Sequence, residues 1–125
     1  MKKILVVDDE QDILELISII LSEKDTVVYK AKDGLTAIDI ARKEKPDLIL
    51  LDVMMPEMDG WEVLKILKID EIAKDIPVVI LTCKTETKDK VLGIQEGAVD
   101  YITKPFDPDY LHRRINEIIK ENRKE

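Results

Sequence analysis

Leu48-Ile49-Leu50-Leu51 sets four aliphatic residues in succession between Pro46-Asp47 and Asp52. A half-exposed strand alternates apolar and polar residues, so an unbroken run reads as a strand buried on both faces. That requirement narrows the fold sharply, because such a strand belongs in the middle of a parallel sheet with helices on both sides. The run stops at a carboxylate, Asp52, and the turn signal Asp59-Gly60 comes after it. Open α/β sheets bind their ligands outside the carboxyl ends of the strands, where Asp52 would lie. Taken alone, Asp52 has a plainer reading as the end of the strand and the cap of the next turn.

The pattern recurs along the chain. Lys3-Ile4-Leu5-Val6-Val7 ends in Asp8-Asp9-Glu10, Pro77-Val78-Val79-Ile80-Leu81 ends in Thr82-Cys83-Lys84, and a short strand over 99–103 leads into Lys104-Pro105-Phe106. Residues 26–31 alternate, with Val27 and Tyr29 on one side, and Lys30 and Lys32 suit an edge strand because charge discourages pairing with other chains.

Helical patterns separate these strands. Ile13, Leu14, Leu16, Ile17, Ile20 and Leu21 cover an arc of about 160° at 100° per residue, leaving Ile19 exposed. A second helix opens at Asp33-Gly34, turns Leu35, Ile38 and Ala41 inward and ends before Pro46. A third buries Val63, Leu64 and Leu67. A fourth, over 86–97, is the weakest: Gly93 costs about 1 kcal/mol relative to Ala, and its apolar stripe is only Val91, Leu92 and Ile94. It is expected to be the most mobile helix. The last has Asp107 as N-cap, Pro108 at its first position and Leu111, Ile115, Ile118 and Ile119 on its buried face.

Five strands alternating with five helices give a (βα)5 chain of the α/β class. Its expected form is a doubly wound three-layer sandwich around a parallel sheet with right-handed crossovers. At 125 residues, one domain over 1–125 is expected, with no effector domain attached. A complete single-domain regulator, a relay intermediate and a piece of a longer chain all stay open. Lys and Arg total 20 against 27 Asp and Glu, a net charge of -7. This argues against non-specific binding to nucleic acid or to anionic membranes and favours a basic partner or a bound cation. One cysteine excludes an internal disulfide. No apolar stretch approaches the roughly 18 residues of a membrane span, so a cytoplasmic location is expected.

The polar residues at the strand ends now converge. Asp8 and Asp9, Asp52, Thr82 and Lys104 all fall on one edge of the predicted sheet. Each has a plain alternative: Asp8 or Asp9 as N-cap of the first helix, Thr82 as an ordinary β-branched strand residue, Lys104 as a surface lysine. Three carboxylates in one cleft repel each other, and a hard cation relieves that repulsion. All-oxygen ligands point to Mg²⁺, Lys104 supplies a point charge for a phosphate oxygen, and Thr82 supplies a hydroxyl. Together they describe phosphoryl transfer to a protein acid, with Asp52 best placed as acceptor.

The combination resembles a response-regulator receiver domain of two-component signalling over essentially the whole chain. The resemblance rests on Asp8-Asp9, Leu51-Asp52 with Met55-Pro56 and Asp59-Gly60, Leu81-Thr82, and Tyr101 with Lys104-Pro105-Phe106. It implies a flavodoxin-like strand order of 2-1-3-4-5. It implies that Asp52 takes a phosphoryl group from a phosphohistidine, and that Asp9, Asp52 and the Met54 backbone carbonyl bind Mg²⁺ while Asp8 holds a metal-bound water. Lys104 would pair with the phosphoryl group, Thr82 would turn its hydroxyl toward it, Tyr101 would move inward, and Lys104-Pro105 would be cis. Such a chain is a signalling phosphoacceptor that catalyses only its own phosphorylation and dephosphorylation.

The implied partners are a histidine kinase or histidine phosphotransfer protein and a downstream protein target met by the fourth helix, fifth strand and fifth helix. Nucleic acid and membrane are not expected to be bound directly. A monomer is expected, with dimerisation on phosphorylation allowed for. Ile13, Leu14 and Ile17 form the expected kinase-docking patch. Cys83 departs from the family's usual Ala or Gly and is expected to be quiet and half-buried.

Rival readings fit less well. A phosphatase of the haloacid-dehalogenase type needs a second Asp two residues after the nucleophile, where this chain has Met54. A flavodoxin-like cofactor carrier needs a first loop that cradles phosphate, which Asp8-Asp9-Glu10 would repel. An interaction domain with a silent site would not need the full residue set. His112 lies in the last helix and is expected at the surface, away from the cleft.

Overall fold

The structure is a computed structural model and describes residues 1–53, 59–83 and 94–123. Its centre is β3 (Leu48–Asp52), every residue of which is buried. β1 (Lys2–Val7) pairs with it on one side and β4 (Val78–Thr82) on the other; β2 (Thr26–Ala31) and β5 (Asp100–Thr103) form the edges. All four pairings are parallel, in the order β2-β1-β3-β4-β5. The order and the edge position of β2 match the sequence-based expectation.

The uninterrupted aliphatic runs are explained by what covers each face. Successive side chains of a strand point to opposite sides. Leu5, Val7, Ile49, Leu51, Val78 and Ile80 therefore enter one core cluster, against Ala37 and Ala41 of α2 (Gly34–Glu44) and Val63, Leu64 and Leu67 of α3 (Gly60–Ile69). Ile4, Val6, Leu48, Leu50, Val79 and Leu81 enter the other, against Leu14, Ile17 and Leu21 of α1 (Gln11–Leu21) and Leu111, Ile115 and Ile118 of the C-terminal helix (Pro108–Asn122). Each buried Leu or Ile contributes about 1.5–3 kcal/mol, so the two faces of three strands outweigh any single surface interaction.

The helix ends obey local chemistry. Asp33 caps α2 by accepting from the Thr36 amide at 2.8 Å, and Asp107 caps the C-terminal helix by accepting from the Asp109 amide at 2.9 Å, with Pro108 next. Ile19 is exposed as expected. Leu35 is not inward: it is 72% exposed. The buried face of α2 is set by Gly34, Ala37 and Ala41, and Leu35 lies about 120° around the helix from its centre. Of the helix predicted over 86–97, residues 84–93, including Gly93, lie outside the described residues; Ile94, assigned to its apolar stripe, is exposed.

Candidate functional site

Three strands deliver their last residues to one edge of the sheet. β1 ends at Val7, and the adjoining Asp8 amide donates to the Ala31 carbonyl at 3.0 Å, which fixes the strand exit. β3 ends at Asp52, in register with Leu81 of β4. β4 ends at Thr82, in register with Thr103 of β5, and the next amide, Lys104, donates to the Thr82 carbonyl at 2.8 Å. Parallel pairing thus brings together residues up to 96 positions apart.

Asp8 and Asp52 are 0% and 2% exposed, and Thr82 is buried beside them. Lys104 reaches both acids: its Nζ donates to Asp8 Oδ2 at 2.8 Å and to Asp52 Oδ2 at 3.5 Å. A buried carboxylate without a counter-charge costs several kcal/mol, so one ammonium shared by two such groups is decisive for the local energetics. Desolvation is the largest single influence on Lys104 and favours its neutral form. The hydrogen bond it donates to Asp8 and the charges of Asp52 and Asp8 together outweigh it and hold the ammonium protonated above its ordinary range. The Lys104-Pro105 peptide is cis, as expected.

Two further acids lie beside Asp8. Asp8, Asp9 and Glu10 each bring a carboxylate oxygen within 4.8 Å of the others. Asp8 thus belongs both to this group and to the Lys104 pair, and the donors of the group are all oxygen, the set a hard divalent cation prefers. Glu10 is a member of this group that the sequence pattern does not single out, although it completes the acidic run that the pattern marks. The alternative role of Asp8 as helix cap is excluded: α1 has Glu10 at its N-cap, and Asp8 accepts from the Glu10 amide at Oδ1 (3.0 Å) and from Lys104 at Oδ2.

Tyr101 is half-buried on β5 and packs against the cluster beneath α2 and α3. Met54 lies outside the described residues. Cys83 is exposed rather than half-buried. His112 hydrogen-bonds Glu23; its neighbour Asn116 accepts from Lys2 at the start of β1, so it belongs to the opposite edge of the sheet. The docking patch requires correction. Leu14 and Ile17 are 1% and 0% exposed and form part of the core against β1, β3 and the C-terminal helix, so neither can present a surface. Of the three, only Ile13, half-buried at the margin, remains available.

The start of α3 carries more than residue type reveals. Asp59 caps the helix by accepting from the Trp61 amide at 2.9 Å, and the Gly60 amide donates to the Val53 carbonyl at 3.3 Å. The signal for this junction is Asp59-Gly60, which in sequence reads only as a turn.

The response regulator receiver domain family matches residues 4–116. The chain is 47% identical over 119 residues to the alkaline phosphatase synthesis transcriptional regulatory protein PhoP of Bacillus subtilis, covering 95% of this chain and 49% of that protein. It is 40% identical over 121 residues to the DNA-binding response regulator MtrA of Mycolicibacterium paratuberculosis, covering 97% and 52%. The chain thus spans about half the length of these relatives. The receiver domain of a Francisella response regulator superposes with a TM-score of 0.89 at 35% identity, covering 98% of this chain and all of that one. Names that include transcriptional regulation and DNA binding give no support to the expectation that nucleic acid plays no direct part. Among the described residues, no helix is long and apolar enough to cross a membrane.

Proposed function

This chain belongs to the response-regulator receiver domain family, and on that premise we propose that it accepts a phosphoryl group on Asp52 and relays it as a conformational signal. The observation that carries the reading is the Lys104 ammonium held between two buried carboxylates, 2.8 Å from Asp8 and 3.5 Å from Asp52. Phosphoryl transfer is mostly positioning and charge neutralisation, and this arrangement offers both.

In the proposed reaction an Asp52 carboxylate oxygen attacks the phosphorus of a phosphohistidine on a kinase or phosphotransfer protein. The new P–O bond forms as the P–N bond breaks, and the imidazole leaves. Mg²⁺ fits the all-oxygen donor set. Asp9, Asp52 and the Met54 backbone carbonyl are the residues assigned to hold it, with Asp8 on a bound water, and it supplies neutralisation of the phosphoryl oxygens. Lys104 provides the remaining positive charge, transferring part of its contact from Asp8 to the new group. Thr82, at the end of the neighbouring strand, directs its hydroxyl to the same group. Tyr101 then moves inward, changing the face that includes β5 and the C-terminal helix. The active arrangement is selected because the phosphoryl group interacts better with it than with the inactive one.

Asp52 is the endpoint of this process, and the domain catalyses only its own phosphorylation and dephosphorylation. The proposed partners are a histidine kinase or phosphotransfer protein and a downstream target, with a monomeric domain that pairs on phosphorylation as one form of output. Incubation with acetyl phosphate and Mg²⁺, read by intact mass, tests the reading. One phosphate adduct that disappears with EDTA and in Asp52→Asn is expected; turnover of unrelated phosphoesters without an adduct would point instead to a phosphatase.

A further inference from the structure

Gly60 opens α3 in direct contact with the strand end that carries Asp52. A Cβ at this position would stand 2.3 Å from Val53 Cα, 2.5 Å from the Asp52 carbonyl oxygen and 3.1 Å from the Asp52 carbonyl carbon. All three are backbone atoms, so none can swing aside as the end of a side chain would. Only hydrogen fits there. The contact is seated from both directions. The Gly60 amide donates to the Val53 carbonyl at 3.3 Å, and the Val53 amide donates to the Leu81 carbonyl at 3.3 Å. The Asp59 cap holds the first turn of α3, while Val63 and Leu64 lock the helix into the same cluster as Leu51 and Val53. The peptide of Asp52 is therefore held between β4 on one side and the first turn of α3 on the other.

We propose that Gly60 is a positioning residue for phosphoryl transfer: its missing side chain lets α3 press on the Asp52 peptide and fix the acceptor carboxylate relative to Asp8 and Lys104. The proposal rests on the reading of Asp52 as phosphoacceptor. Its physical content is that in-line transfer is intolerant of displacement, with a misplacement of about 1 Å costing about a hundredfold in rate. Adding one methyl group at Gly60 forces the helix or the strand end to move, and the carboxylate moves with its peptide.

The test compares Gly60→Ala with Leu67→Val, a buried substitution two turns further along α3. Both are made in the full chain, their folding is measured by urea denaturation, and the rate of phosphorylation by acetyl phosphate is monitored at saturating Mg²⁺. A role in stability alone lowers the urea midpoint and leaves the rate of a variant that stays folded near that of wild type. Positioning predicts that folded Gly60→Ala loses at least about tenfold in rate while Leu67→Val stays within about twofold of wild type. A Gly60→Ala rate within about twofold of wild type, or a loss no greater than that of Leu67→Val, overturns the proposal. Should Gly60→Ala not fold, Asp59→Ala carries the test, since it loosens the same turn without adding atoms: a rate reduced at least about threefold supports positioning, and a wild-type rate overturns it. A wild-type chain that takes no phosphate defeats the underlying reading and is recognised before any variant is compared.

Discussion

Lys104 donates to Asp8 at 2.8 Å although the two residues are 96 positions apart in the chain. It stands closer to Asp8 than to Asp52, which is 3.5 Å away. The ammonium thus sits beside the proposed acceptor while its strongest contact is with the neighbouring acid.

Removing that ammonium while keeping its apolar stem should destabilise the fold. Lys104→Met leaves two buried carboxylates without their shared counter-charge, and a loss of about 2–4 kcal/mol is expected by urea denaturation. Added Mg²⁺ should narrow the gap between variant and wild type, because a cation takes over part of the neutralisation. Stabilities of both proteins that do not respond to Mg²⁺ would show that the acids bind no cation.

The same contact sets a pH dependence on the alkaline side. Lys104 titrates above its ordinary value of 10.5 in the folded chain. A raised folded value means that the contribution is present in full below the unfolded value and is lost as pH rises through the folded one. The stability difference between wild type and Lys104→Met should therefore be flat through neutral pH and shrink above about pH 10.5. Urea midpoints measured across that range check it.

Two leucines that look alike in the sequence should behave differently. Leu50 is fully buried in β3, whereas Leu35 is 72% exposed on α2. Leu50→Ala should cost about 2–5 kcal/mol, a large share of the 5–15 kcal/mol typical of a domain. Leu35→Ala should stay within about 0.5 kcal/mol. Comparable losses in both would contradict the assignment of the α2 face.

If α1 meets the kinase, Ile13 is the residue of the predicted patch left to do so. Ile13→Lys should slow phosphotransfer from the cognate kinase while leaving phosphorylation by acetyl phosphate intact. Equal loss with both donors would rule docking out and indicate damage to the acceptor site.

The sheet is legible in the sequence because strands buried on both faces leave no alternation to misread. The runs ending at Val7, Leu51 and Leu81 are unbroken, and the next residue of each, Asp8, Asp52 or Thr82, belongs to the proposed site. Their convergence is a consequence of parallel topology. Helix faces are harder to read. Hydrophobicity alone turns Leu35 inward, although small residues, Ala37 and Ala41, make the close contact with the sheet. Leu14 and Ile17 cannot serve both the docking patch and the core, and their own periodicity points to the core. Glu10 and Gly60 depend on local geometry of an ångström or so, which residue type alone does not carry. The pairing of Lys104 with Asp8 is likewise a matter of distance, since sequence can place both at one edge without choosing between Asp8 and Asp52.

The most direct measurement is chemical trapping of the acceptor. After incubation with acetyl phosphate and Mg²⁺, borohydride reduction converts an aspartyl phosphate into homoserine, and peptide mapping reads its position. Homoserine at position 52, absent when Mg²⁺ or the donor is omitted, is the expected result. Homoserine in place of Asp8 or Asp9, or an unmodified Asp52 in a folded chain that has been given donor and metal, would contradict the assignment of Asp52 as the phosphoacceptor.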